Sequence, residues 1–161
     1  MTPTTPDSSI LTAYVVLLDA GPLGMLTQRP GYSQDVFDCQ AWFEMCESAK
    51  VPIYLPEIAD YEVRRELLRA RKTASVARLD AMRDRTRYLP ITTAAMRLAA
   101  TLWATARQQG RPTAPDDSLD ADMILSAQAL DLGMSGLVIA TSNPRHLSRF
   151  DPARPWREIS I

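Results

Sequence analysis

Four polar side chains stand where an α/β chain gathers chemistry. Asp19 directly follows the apolar run Ala13-Tyr-Val-Val-Leu-Leu18. It therefore falls at the carboxyl end of an expected buried strand, where open parallel sheets form their sites. Its other reading is a turn aspartate accepting from nearby backbone amides. Glu62 lies in an expected helix over 57–72, between the apolar rows Ala59, Val63, Leu67 and Ile58, Tyr61, Leu68. A carboxylate there is costly to desolvate unless its charge is met. An ion pair with Arg65 or Arg69 would meet it, as would a bound cation. The stretch Asp116-Asp-Ser-Leu-Asp-Ala-Asp122 puts four carboxylates into seven residues, which repel unless solvated or bound to a cation. Acidic side chains also favour the start of a helix, which is reason enough for Asp116 and Asp117. Inside one helix Asp120 and Asp122 point apart. Both serve one site only if Asp120 lies at or before the cap; if one serves, Asp122 is the choice. Asn143 closes Thr141-Ser-Asn143, after the expected strand Gly136-Leu-Val-Ile-Ala140. There it either orients a water or ligand, or turns the chain before Pro144.

The four residues sit on separate elements that a parallel fold can bring to one edge. No thiolate or imidazole cluster accompanies them. The single histidine, His146, argues against multi-histidine metal sites and a Ser–His–Asp triad, and Cys39 and Cys46 read as reduced packing thiols. An all-oxygen donor set suits a hard cation, Mg²⁺ or Mn²⁺. Such an ion polarises a phosphoryl oxygen and lowers the pKa of a bound water, so the chemistry indicated is phosphodiester hydrolysis. A phosphatase using Asp19 as nucleophile ranks lower, because Ala20-Gly21 follows and no second aspartate stands two residues on.

The chain that must position these groups has 161 residues, 46% of them hydrophobic, and a net charge of −1. That suits one folded domain and excludes both a disordered chain and a globally cationic one. The longest apolar run is six residues, far short of the ~20 needed to span a membrane. The first residues lack a basic region, so no secretory signal is expected and the location is expected to be cytoplasmic. Residues 1–12 read as a loose tail and 13–161 as one domain. Buried strands are expected over 13–18 and 136–140, short strands over 51–55 and 88–91, and an edge strand over 156–161. Helices are expected over 35–50, 57–72, 73–87, 93–109 and 119–132, with a loop over 111–118. Thr92 or Thr93 caps the fourth of these helices, and Gly110 and Gly133 end the last two. The residues after Asp19, Ala20-Gly21-Pro22, read as a turn. Strands alternating with helices imply an α/β fold with a parallel sheet covered on both faces.

Four stretches carry a resemblance: Leu17-Leu-Asp-Ala-Gly-Pro-Leu-Gly24, Leu55-Pro-Glu-Ile-Ala-Asp-Tyr-Glu-Val-Arg-Arg-Glu-Leu67, Leu119-Asp-Ala-Asp-Met-Ile-Leu-Ser-Ala-Gln-Ala129 and Val138-Ile-Ala-Thr-Ser-Asn-Pro-Arg-His146. In this order they resemble the PIN-domain ribonucleases, and within them the VapC-type toxins of toxin–antitoxin pairs. The resemblance implies a three-layer α/β/α fold with a short central parallel sheet. It implies a metal-binding acidic cluster in which Asp19, Glu62 and Asp122 take part, with Asp120 competing with Asp122. Many members carry a further acid where this chain has Asn143. Cleavage of RNA, a homodimer and a small antitoxin that blocks the site are implied as well.

The chain has the means to hold RNA. Between Arg64 and Arg87 lie nine basic residues, and from Glu66 to Asp84 three acids. Arginine forks bind phosphates well, and Arg65 and Arg69 share the helix of Glu62. The other reading of this segment is a solvated helix surface. Tyr61 and Trp103 read as core residues, ahead of base-stacking platforms, and His146 as structural.

Overall fold

The computed structural model describes residues 15–110, 116–144, 147 and 152–161, with the side chains of 116–119 left out. The expected tail 1–12 and His146 lie outside the described residues. Among the described residues five strands form one parallel sheet: β1 (Val15–Leu18), β2 (Ile53–Pro56), β3 (Arg87–Leu89), β4 (Leu137–Thr141) and β5 (Ala153–Pro155), in the order β3-β2-β1-β4-β5. The direction of strand addition reverses at β1. Residues beyond the carboxyl ends of β1 and β4 therefore face the crevice where such sheets bind ligands.

Among the described residues six α-helices cover the sheet: α1 (Ala20–Leu26), α2 (Gln34–Ser48), α3 (Glu57–Arg69), α4 (Thr73–Ala81), α5 (Thr93–Gln108) and α6 (Asp116–Leu132). The alternation of side chains along β1 divides the core. Val16 and Leu18 pack with Leu23 of α1, Phe43 of α2, Val63 of α3 and Leu79 of α4. Val15 and Leu17 pack on the other face with Leu125 and Ala129 of α6. Small residues let α5 lie close on α6, where Ala95, Ala99 and Ala106 meet Met123 and Ala127. This is a three-layer α/β/α fold around a short parallel sheet. Each fully buried leucine of β1 contributes roughly 2 kcal/mol. Among the described residues no helix is long and apolar enough to cross a membrane.

Several local features differ from the sequence reading. The expected helix over 73–87 stops at Ala81 and passes through a 3₁₀ turn over Met82–Asp84, which frees Arg87 to begin the strand expected over 88–91. The expected turn after Asp19 is the helix α1, because Asp19 is its N-cap and Pro22 sits in its first turn, where a missing N–H costs nothing. Helices α2 and α3 stop at Ser48 and Arg69, and the chain leaves them through left-handed Lys50 and Arg71, at φ 57° and 56°. Helix α6 begins at Asp116, three residues earlier than expected, since acids are favourable in a first turn. The edge strand is Ala153–Pro155, ahead of the expected 156–161. Residues Trp156–Glu158 turn instead, because Trp156 tucks against Trp42 with ring centroids 6.0 Å apart.

Buried polar groups set the helices that carry the acids. Gln128 of α6 is 2% exposed; it donates to the Leu89 carbonyl at 2.9 Å and accepts from the Ile58 amide at 3.4 Å. It thereby ties α6 to the start of α3. Asp60 accepts from Arg64 Nε at 2.7 Å, and Arg64 also pairs with Asp80 at 2.8 Å, fixing α3 to α4.

Candidate active site

Asp19 stands at the switch point. Its Oδ1 accepts from the Ala20 amide at 2.7 Å, and its Oδ2 accepts from the Thr141 hydroxyl at 2.7 Å. The capping role considered for Asp19 is therefore real, and it occupies one oxygen. The second bond crosses the sheet from the end of β4 and fixes the carboxylate in orientation. Burial nevertheless outweighs both bonds and holds the Asp19 carboxyl above its ordinary value of 3.8. The Thr141 hydroxyl also accepts from the Asn143 amide at 3.1 Å, which draws the loop after β4 toward Asp19. Thr141 is 1% exposed.

The first turn of α1 lies hard against that loop. A Cβ on Gly21 would stand 2.5 Å from Ser142 Oγ and 3.0 Å from Ser142 Cβ. Glycine there lets the helix carrying Asp19 approach the end of β4.

Glu62 approaches Asp19 from α3. It is partly buried, on the helix face between Ile58, which packs toward α6, and Val63, which packs toward the sheet. Burial, then the charges of Asp19 and Asp122, push its carboxyl up to about 7. The charge of Arg65 offsets this least of the four influences. The alternative of a satisfied ion pair is thus weak: Arg69 is taken by Glu66 at 2.7 Å, and Arg65 lies 5.2 Å from the centroid of the Tyr61 ring.

Asp122 and Asp120 diverge. Asp122 is partly buried and close enough to Glu62 to act on its ionisation. Asp120 is exposed, and with Met96, Trp103 and Met123 it lines a separate groove of about 320 Å³ between α5 and α6. Since α6 starts at Asp116, Asp120 lies inside the helix, where residues two apart face different ways. Asn143 is exposed in the loop beyond Thr141.

Beside Glu62 runs an open groove of about 470 Å³, lined by Gly21 and Gly24 of α1 and by Arg65, Glu66 and Arg69 of α3. Both arginines expected to meet RNA therefore line the groove that Glu62 borders. Most other arginines of the basic segment are engaged elsewhere: Arg78 donates to the Thr27 carbonyl, Arg85 pairs with Glu47, and Arg83 lies over Tyr88. Tyr61 and Trp103 are not core residues, being 57% and 37% exposed.

The donors suit a hard divalent cation. They are all oxygens, and their mutual repulsion is what such an ion relieves. Among the described residues no three acids stand close enough to enclose an ion by themselves. Mg²⁺ does not require that, since it keeps several waters and is commonly held by one or two carboxylates.

No protein-family model matches this sequence, and no curated protein matches it. Solved structures do match. VapBC2 from Rickettsia felis, bound to a DNA fragment from its promoter, superposes with a TM-score of 0.65 at 12% identity, over 87% of this chain and 97% of that one. This chain has the fold of the VapC-type PIN proteins. VapBC-1 from nontypeable Haemophilus influenzae gives 0.64 at 16% identity, over 89% and 99% of the two chains. DNA-bound VapBC from Salmonella typhimurium gives 0.59 at 19%, over 89% and 98%. At these identities the PIN likeness is one of fold, and the side chains of the site must speak for its chemistry.

Thr141 is the residue that sequence reasoning passed over. Its place after an apolar strand was visible, but its bond to Asp19 spans 122 residues and exists only once β1 and β4 pair.

Proposed function

We propose that this chain is a divalent-metal-dependent endoribonuclease, using Mg²⁺ or Mn²⁺ to hydrolyse RNA phosphodiesters, and the toxin of a type II toxin–antitoxin pair. The reading is carried by Asp19, fixed at the switch point between β1 and β4, and by Glu62, on which the charges of Asp19 and Asp122 act, beside a groove that Arg65 and Arg69 help to line. Asp19, Glu62 and Asp122 would hold the ion, and Asn143 would help to position water. When bound, the ion supplies a lowered pKa for attacking water and polarises a phosphoryl oxygen. Asp19 is pre-oriented by Ala20 and Thr141, so little rearrangement is needed to present its carboxylate. Arg65 would take a backbone phosphate at the groove wall, and Arg69 would do so by exchanging its exposed pair with Glu66 for the phosphate. A small antitoxin and a second copy of the chain are the partners proposed, from the resemblance of the motifs and the likeness in fold. A cytoplasmic location belongs to the same reading.

The test is cleavage of a mixed pool of structured and single-stranded RNA by the purified chain with Mn²⁺, Mg²⁺ or EDTA. Cleavage is expected with either metal and not with EDTA, with a loss of more than about a hundredfold in Asp19→Asn, since even outer-shell partners of a metal cost about 10–100-fold. Undiminished metal-dependent cleavage by Asp19→Asn would refute the site. A second reading, an inactive RNA- or partner-binding module, draws on the amide at Asn143 and the open spacing of the acids. RNA binding with no turnover in either metal would favour it.

A further inference from the structure

The outward row of α3 remains unexplained by the acidic cluster. Tyr61 is 57% exposed and Leu68 is 59% exposed, although both belong to an apolar row that the sequence marks for burial. Tyr61 immediately precedes Glu62. The guanidinium of Arg65, one turn on, lies 5.2 Å from the centre of the Tyr61 ring, while Arg65 also borders the groove beside Glu62. Arg69 and Lys72 continue that groove wall. An exposed aromatic ring, buttressed by an arginine and followed by further cations, is how single-stranded nucleic acid is held: bases stack on rings while cations follow the backbone.

We propose that Tyr61 is a stacking platform for an unpaired nucleobase next to the phosphodiester presented to Asp19, Glu62 and Asp122. This rests on the nuclease reading above. It adds that RNA is recognised through a splayed base, in a loop or single strand, because a paired base offers no free face to the ring. Arg65 has a double part, steadying the ring and meeting a neighbouring phosphate. A second copy of the chain is the other occupant to consider. The groove wall beside the ring carries three cations, Arg65, Arg69 and Lys72, against two acids, Glu62 and Glu66, and this positive excess favours a polyanion over a second copy bearing the same excess.

The experiment measures binding apart from cleavage. A single-stranded RNA 12-mer carrying one 2-aminopurine is titrated with the full chain in EDTA, following anisotropy and 2-aminopurine fluorescence. The wild type is expected to bind and quench. Tyr61→Ala is expected to bind about tenfold more weakly, the scale of one lost base–aromatic stack, with the quench reduced. Tyr61→Phe, which keeps the ring, is expected to recover both relative to Ala. The salt slope is expected to stay unchanged in Tyr61→Ala and to fall by about one in Arg65→Ala. Phe37→Ala removes an equally exposed ring on α2 and is expected to bind as the wild type does. Wild-type affinity and quench in Tyr61→Ala, beside normal metal-dependent cleavage, would overturn the platform alone. Loss of binding in both Tyr61→Ala and Tyr61→Phe would overturn it too, since the ring would not be what matters. A wild type that neither binds nor cleaves any RNA would overturn the platform together with the nuclease reading. A Tyr61→Ala chain that turns from dimer to monomer with RNA binding intact would assign the strip to self-association.

Discussion

Replacing Glu62 by glutamine should make the metal-free protein more stable at neutral pH, although it removes a proposed functional group. Glu62 is placed where burial and the charges of Asp19 and Asp122 push its carboxyl from 4.5 up to about 7. A carboxyl whose folded pKa lies above its unfolded value binds more protons when folded. Stability therefore falls as pH rises from about 4.5 to about 7, and is level above that. One pKa unit is worth about 1.4 kcal/mol, so a shift of this size corresponds to about 3 kcal/mol in full. Glu62 is only partly buried and solvent screens part of the repulsion, so about 1–2 kcal/mol is expected. The amide of Glu62→Gln keeps the shape and carries no charge. For a chain of this size the gain corresponds to a rise of about 2–8 °C in Tm. Thermal unfolding in EDTA, followed by circular dichroism at pH 5 and pH 7.5, reads it directly. The variant should melt higher at pH 7.5 and close to the wild type at pH 5. Adding Mn²⁺ should raise the wild type more than the variant, because the ion relieves the repulsion that glutamine has already removed. An unchanged or lower Tm at pH 7.5, or an equal difference at both pH values, would refute the coupling of the three acids.

Other consequences follow from the same contacts. Thr141→Val keeps the shape but removes the donor to Asp19 Oδ2 and the acceptor of the Asn143 amide. It should lower stability by about 2 kcal/mol in urea unfolding at pH 7 and weaken Mn²⁺ binding in calorimetry. Gly21→Ala brings a methyl group to 2.5 Å from Ser142 Oγ, so it should cost about 1–3 kcal/mol and impair cleavage through displacement of the Asp19 turn. Cys39 and Cys46 are buried, with thiols pushed up to about 12, and should react with a thiol reagent only on unfolding.

Much of the fold was legible because it rests on local rules. The runs that became β1 and β4 are apolar throughout, as fully covered parallel strands must be. Thr92 or Thr93 reads as an N-cap, and it is the Thr92 hydroxyl that accepts from the Ala95 amide at 3.0 Å. What failed locally was Gly21-Pro22, which reads as a turn until Asp19 is seen to cap a helix through them. In the site, Asp19 and Glu62 were visible as carboxylates in places that need a reason. The separation of Asp120 from Asp122 turned on where α6 begins, which the aspartates themselves obscure. The Thr141 contact and the exposure of Tyr61 depend on the packing of remote elements, and periodicity carries no trace of either.

The central claim, that Asp19, Glu62 and Asp122 form one metal-dependent centre, is tested most directly by single-turnover RNA cleavage across a Mn²⁺ titration. The proteins to compare are the wild type, Asp122→Asn and Asp120→Asn. The account predicts that Asp122→Asn loses more than about a hundredfold in rate and needs more Mn²⁺, whereas Asp120→Asn follows the wild type. A silent Asp122→Asn, or an equal loss in both variants, would contradict it.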